Sequence, residues 1–183
     1  MVQVATSART ESKARSASGG GKFLTFQLGN EEYGLELLRV REIIALMDIT
    51  AVPLTPAYVR GVMNLRGKVI PVVDLRCKFG MERTEDHDRK CIIVVDVLRN
   101  EQPIQMSILV DAVSEVLHID EEDIEVVASL NAGLEADFIQ GMAKAKGGVK
   151  ILLNIDTVLS SVSTVNINSQ AAAANKPADQ EED

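Results

Sequence analysis

The side chains most able to do chemistry are few, and most stand in the wrong company. There are two histidines. His87 lies in Glu85-Asp86-His87-Asp88, where three carboxylates flank one imidazole. A hard cation or zinc could use such donors if a frame held them. The stretch falls between apolar runs and lacks the turn glycine of a calcium loop, so it reads as a solvated loop. His118 follows an apolar run and precedes Asp120 to Asp123, and it reads as a rim histidine, not a general base. No Gly-x-Ser-x-Gly elbow occurs, and no serine cluster lies beside a histidine. Gly20-Gly21-Lys22 fails as a phosphate loop because Phe23 stands where a hydroxyl is required. Pro53-x-x-Pro56 has the spacing of a proline-rich ligand, but its place beside Thr55 suits a structural turn. Cys77 and Cys91 form no CxxC pair and read as packing residues of a reducing compartment. No catalytic group, metal or cofactor is expected. The chain reads as an interaction protein, not an enzyme.

One charged pair stands out against apolar surroundings. Glu42 is bracketed by Val40 and Ile43-Ile44, and Arg66 sits at the tip of Asn64-Leu65-Arg66-Gly67. Two exposed charges would contribute little to stability. A partly buried pair would instead fix the 64–67 hairpin against a neighbouring strand. Spacing leaves both readings open.

The elements that must position this pair read mostly as strands. Leu24, Phe26 and Leu28 alternate with Thr25 and Gln27, and Gly29-Asn30 supplies a turn before Tyr33, Leu35 and Leu37. A phase slip at Leu37-Leu38 predicts a bulge or bend before 40–44. Residues 62–65 and 68–75 flank Arg66-Gly67 as a hairpin, and 91–98 and 104–110 flank a polar turn at 99–102. Thr55-Pro56 predicts the cap and first position of a short helix that Gly61 would stop. Residues 1–22, which end in three glycines, and the acidic stretch 166–183 read as flexible tails. The folded part is then about 23–165.

An internal repeat organises that part. Shifting by 73 positions (42 onto 115) places Tyr33, Leu35, Leu37, Val40, Glu42, Ile43 and Ile44 on Met106, Ile108, Val110, Val113, Glu115, Val116 and Leu117. Shifting by 80 (61 onto 141) places Tyr58-Val59-Arg60-Gly61 on Phe138-Ile139-Gln140-Gly141. Asp74 pairs with Asp156, each a candidate helix cap. Two related small barrels follow, about 23–90 and 91–165, with possible strand exchange between them.

Composition limits the partners. Aromatic residues make up 3% and Trp is absent, so a base-stacking nucleic-acid surface is not expected. A net charge of −8 repels phosphate backbones and anionic lipid. No apolar run approaches the roughly 18 residues of a membrane span, and the first 22 residues lack the apolar core of a secretory signal. The expected location is the cytoplasm, without direct membrane insertion.

The run Gly61-Val62-Met63-Asn64-Leu65-Arg66-Gly67-Lys68-Val69-Ile70-Pro71-Val72-Val73-Asp74-Leu75 resembles the signature of the CheW family of chemotaxis coupling proteins, and Val40-Arg41-Glu42-Ile43-Ile44 resembles the stretch that precedes it. The similarity spans about 23–160. It implies a mostly β fold: two five-stranded SH3-like barrels sharing a hydrophobic core, with short helices. It also implies a non-catalytic adaptor between membrane chemoreceptors and the histidine kinase CheA. The partners implied are the kinase's regulatory domain and the cytoplasmic tip of the receptor. The resemblance assigns Val40, Gly61 and Gly67 to receptor coupling and Glu42 and Arg66 to a charged pair needed for coupling, with Asn64 and Leu65 in the motif hairpin. An adaptor of another chemosensory pathway, such as twitching motility, has the same pattern.

Overall fold

Strands form where the apolar pattern has period two, and turns form where the residues between tolerate a left-handed backbone. The computed structural model describes residues 19–126 and 137–162. In chain order the elements are β1 (Gly21–Leu28), β2 (Glu31–Glu36), β3 (Val40–Ala45), β4 (Val59–Leu65), β5 (Lys68–Asp74), α1 (Leu75–Lys78), β6 (Cys91–Arg99), β7 (Gln102–Val110), β8 (Ala112–Ile119), β9 (Ile124–Glu125), β10 (Ile139–Ala145), β11 (Gly148–Leu153) and α2 (Ile155–Leu159). Single 3-10 turns fill Leu37–Arg39 and Glu121–Asp123. The first of these is the bend predicted at Leu37-Leu38. The expected tails at 1–18 and 166–183 lie outside the described residues, whereas Gly21 and Lys22 already open β1.

The strands form two sheets, each coiled into an SH3-like barrel. One has the order β3-β6-β7-β5-β4. The other runs β8-β1-β2-β11-β10 and adds the two-residue β9, a sixth strand beyond the five expected. The sheets cross the chain's midpoint. The β1–β2 hairpin pairs with β8 and β11, while β6–β7 pairs with β3 and β5. A cut at 90/91 therefore separates strands that are hydrogen-bonded neighbours.

The repeat is exact in register. Val72 faces Ser107 across the parallel pair β5–β7, and Leu152 faces Gly34 across the parallel pair β11–β2; shifts of 80 and 73 interconvert the two. Each β4-type strand carries a bulge at the same place, Val59/Gly61 and Ile139/Gly141. The Asp74 amide donates to the Tyr58 carbonyl at 2.8 Å, and the Asn154 amide donates to the Phe138 carbonyl at 2.8 Å.

This register corrects two expectations. Asn154, not Asp156, is the counterpart of Asp74: its side chain accepts the Thr157 amide at the start of α2, as Asp74 accepts those of Arg76 and Cys77 at the start of α1. Asp156 lies inside the helix. The helix expected from Thr55-Pro56 is a turn instead. The Thr55 hydroxyl donates to the Val52 carbonyl at 2.8 Å, and the Val59 amide to that of Pro56 at 2.9 Å. β4 begins at Val59, which leaves too few residues to nucleate a helix.

Among the described residues the apolar side chains form three cores. Met63, Ile70, Val72, Ile92, Val94 and Leu109 fill the first barrel. Phe23, Ile119, Ile124, Ala143 and Leu152 fill the second. Between the barrels lies the largest cluster, built from the opposite faces of the same strands. In β6, Ile92 and Val94 point into the barrel while Ile93, Val95 and Val97 point into the shared core. That is why the start of β6, Cys91 to Val95, reads as an unbroken apolar run. Phe26, Tyr33, Phe79 and Phe138 stack in series through the shared core, with ring centroids 6.0, 5.7 and 5.1 Å apart.

The 82–90 loop is not merely solvated. Lys90, buried, donates through Nζ to the Thr84 carbonyl at 2.8 Å and reaches Asp86 at 3.3 Å. Asp86 also pairs with Arg60 at 2.7 Å. A buried ammonium must find acceptors, and the loop folds around it to supply them. His87 is exposed; its Nδ1 accepts the Arg89 amide at 3.3 Å and its carbonyl accepts the Lys90 amide at 3.0 Å.

Candidate functional site

The β4–β5 connection is a two-residue hairpin whose central residues both have positive φ, Arg66 at 50° and Gly67 at 83°. This is the type I′ pattern, which matches strand twist and puts Gly at the second position. Asn64 closes it by accepting the Gly67 amide on Oδ1 at 2.9 Å. A Cβ on Gly67 would meet nothing within 4 Å, so glycine is required there by conformation, not by a neighbour. Leu65 is partly buried against the first barrel's core and anchors the tip.

The turn aims Arg66 at β3. Val40 pairs with Val95 and Glu42 with Val94, so a bulge falls at Arg41. Val40 packs on the shared core and Ile44 on the barrel core, leaving Glu42 on the rim between them. The Arg66 guanidinium donates two hydrogen bonds to Glu42, Nη1 to Oε1 at 2.8 Å and Nη2 to Oε2 at 2.7 Å. The pair is open to solvent on one side: the arginine side chain is 73% exposed and the glutamate 29%. These hydrogen bonds, more than the bare charge, hold the Glu42 carboxyl below the usual range for glutamate and raise Arg66. The geometry thus combines the two sequence readings: an exposed pair that nevertheless fixes the hairpin to its neighbour strand.

Gly61 does different work. Its φ is 142°, and a Cβ there would lie 2.0 Å from the Thr50 carbonyl oxygen. Thr50 and Val62 exchange both backbone hydrogen bonds, at 2.8 and 2.9 Å. The close approach is therefore within the chain: Gly61 seats the 49–51 segment on β4. Thr50 was not singled out from sequence, and the signal for it was a glycine standing inside a strand instead of at a turn.

Sequence reasoning also passed over the surface around the pair. Arg41 pairs with Asp96 at 2.6 Å, and Lys68 donates to Gln105 at 2.7 Å. Between these contacts lies an open groove of about 360 Å³, floored by Val69, Pro71, Pro103 and Ile104. Ile43 and Val69 are exposed, and so are Val116 and Val149, their repeat counterparts. Apolar residues on outward-facing positions carried that signal. Among the described residues there is no group of three or more His, Cys, Asp or Glu that could hold a metal ion. No helix among them is long and apolar enough to cross a membrane.

The profile of the CheW-like domain matches residues 22–163. A chemotaxis protein CheW of Klebsiella aerogenes is 34% identical over 152 residues, 83% of this chain and 89% of that protein. One of Rhizobium meliloti is 34% identical over 152 residues, covering 83% and 96%. Among solved structures, the scaffolding protein TtCheW of Thermoanaerobacter tengcongensis superposes with a TM-score of 0.69 at 34% identity, over 78% of this chain and 94% of that one.

Proposed function

The chain belongs to the CheW-like family of chemotaxis scaffolds, and from that premise we propose that it is a non-catalytic adaptor joining chemoreceptors to the histidine kinase CheA, so that receptor state controls kinase autophosphorylation. The observation that carries this is the Glu42–Arg66 pair: a bidentate, solvent-facing contact on a type I′ tip, inside the stretch that matches the family. A preorganised charged surface of this kind favours orientation and register when a partner docks. The adaptor works in the cytoplasm beside the receptor arrays. Its partners are the kinase's regulatory domain and the receptor's cytoplasmic tip.

The roles divide by geometry. Glu42 and Arg66 present the charged contact. Asn64, Leu65 and Gly67 hold the tip that presents it. Val40 sets the start of β3 and hence the position of Glu42. Gly61 acts from inside, by seating the segment that backs β4. The partly buried aromatics Tyr58, Phe79 and Phe138, at the edge of the shared core, provide an apolar seam suited to a helical hairpin.

The test is reconstitution of the full chain with a receptor signalling fragment and the kinase. Both partners should co-sediment with it, and kinase output should respond to the receptor. Arg66→Glu should abolish the response, and adding Glu42→Arg should recover part of it by rebuilding the pair with reversed polarity. Binding of neither partner would overturn the adaptor reading. Wild-type output from Arg66→Glu would remove the pair from it.

A further inference from the structure

The described chain passes between the barrels at two corners, once from β2 to β3 through residues 37–39 and once from β7 to β8 through Asp111. An acid–base contact sits at each. At the second corner, Asp111 Oδ2 accepts Arg76 Nη1 at 2.5 Å and the Gly29 amide at 2.7 Å. At the first, Asp156 accepts Arg39 Nη2 on Oδ2 at 2.5 Å and the Leu98 amide on Oδ1 at 2.7 Å. All four side chains are mostly withdrawn from solvent.

The strand registers show that these are the same contact twice. Phe26 pairs with Tyr33 and with Val113, while Val95 pairs with Met106 and with Val40. Tyr33 and Met106 are repeat counterparts, and so are Val40 and Val113; Phe26 therefore corresponds to Val95, and Gly29 to Leu98. The shift of 80 that superposes the helices carries Arg76 onto Asp156. The shift of 73 carries Arg39 onto position 112, beside Asp111. The donated amide is thus conserved between the halves, whereas acid and base have changed places. In one clasp the helix supplies the guanidinium and the corner the carboxylate; in the other the helix supplies the carboxylate and the corner the guanidinium.

We infer that these two charge-inverted clasps latch the barrels together, each carboxylate fastening the helix or corner at one crossing to the strand end of the exchanged hairpin. The shared apolar core holds the barrels in contact, but burial is non-directional and leaves their relative rotation weakly fixed. Charge-assisted hydrogen bonds are directional. Two of them, at opposite crossings, fix the rotation. A contact that survives with its charges exchanged is defined by its geometry, not by the sign of charge at either position.

Amide hydrogen exchange on the full chain tests the assignment. Asp111→Ala should speed exchange at Gly29 about tenfold and leave Leu98 unchanged, and Asp156→Ala should do the reverse. Arg76→Asp alone should expose Gly29. Adding Asp111→Arg should protect it again, because Asp156 shows at Leu98 that a carboxylate on the helix can reach the corresponding amide. Every variant at 76 also loses the Arg76 Nε contact to the Glu82 carbonyl, so Arg76→Asp is the proper baseline. If that swap fails to fold, Arg39→Asp with Asp156→Arg asks the same question at Leu98. The latch itself is read by spin labels at Val69 and Val149, one on each barrel, with Cys77 and Cys91 replaced by serine. The distance distribution should broaden in Asp111→Ala/Asp156→Ala. An unchanged distribution, or swaps no better protected than their single baselines, would overturn the proposal.

Discussion

The two barrels share strand order, parallel pairing, bulge positions and helix caps, yet their interiors and tips differ. The first barrel has Ile70, fully buried, where the second has Lys150, also buried. Lys150 is ion-paired with Glu32, which also accepts the Ser114 hydroxyl at 3.1 Å. At the tips, Arg66 reaches Glu42, whereas the counterparts Lys146 and Glu115 form no ion pair among the described residues. The second turn has positive φ at Gly147 but not at Lys146, so its side chain leaves in another direction. The fold therefore depends on features that both halves retain, and the charged contact on features that only one half has.

The largest break in this comparison should come from the paired glycines. Gly61→Ala places a methyl against the Thr50 backbone in an unfavourable φ region, and should cost about 3–5 kcal/mol by chemical denaturation. At Gly141 the φ is not positive, and a new Cβ would meet the Ile124 Cγ2 at 2.8 Å, a side-chain end that can shift, and the Glu125 carbonyl oxygen at 3.0 Å, far less close than the 2.0 Å to the Thr50 oxygen at Gly61. Gly141→Ala should cost well under half as much. Equal losses would mean that the Thr50 segment moves aside freely.

Next is the interior. Glu32→Ala would strand the buried Lys150 ammonium and should cost about 3 kcal/mol. Lys150→Met leaves Glu32, which is 27% exposed and can be rehydrated, so that change should cost less than about 1 kcal/mol or stabilise. Thermal melts of the two variants give the order. Equal penalties would show that the second barrel needs the pair itself, not merely the absence of an unpaired charge.

Smaller effects come from the helix caps. Asp74→Ala removes an acceptor of two amides from a buried site and should cost about 2 kcal/mol; Asn154→Ala removes an acceptor of one and should cost about 1 kcal/mol. Equal costs would mean that neither the second amide bond at Asp74 nor its contact with Arg83, at 3.7 Å, contributes.

How much of this was legible follows from range. Alternation in β1, the Arg66-Gly67 turn and the 73- and 80-residue offsets are local or self-repeating, and residue types reveal them. Which sheet each hairpin joins was not, because an apolar pattern shows which faces of a hairpin are buried and not which strands it pairs with. Long-range polar contacts were equally hidden. Arg99 reads as a turn residue, but its guanidinium donates to the carbonyls of Leu159, Ser160 and Val162 at the end of α2 and just beyond it. Lys90 reads as one charge in a polar loop and is instead the loop's buried centre. The Glu42–Arg66 pair could be suspected, since both sat in apolar company, but its bidentate geometry depends on a turn type and a bulge on different strands.

The smallest effect sharpens the comparison most, because it isolates that geometry. Glu42 has a lowered pKa in the folded chain, so its contribution to stability is present above the unfolded value, about 4.3, and is lost as pH falls through the lower folded value. The Glu42 carboxyl carbon, followed by NMR, should titrate below that of an ordinary glutamate. Arg66→Ala should return it toward the ordinary value. Arg66→Lys keeps the charge but loses the two-pronged donor, and the hydrogen bonds are the larger cause of the shift, so its midpoint should fall between. Added salt should move the Arg66→Lys midpoint more than the wild-type one, since screening weakens charge attraction at an exposed site more than it weakens two aligned hydrogen bonds. If lysine reproduced the wild-type midpoint at every salt concentration, charge alone would account for the pair. The first barrel's tip would then differ from the second's only in where its cation points.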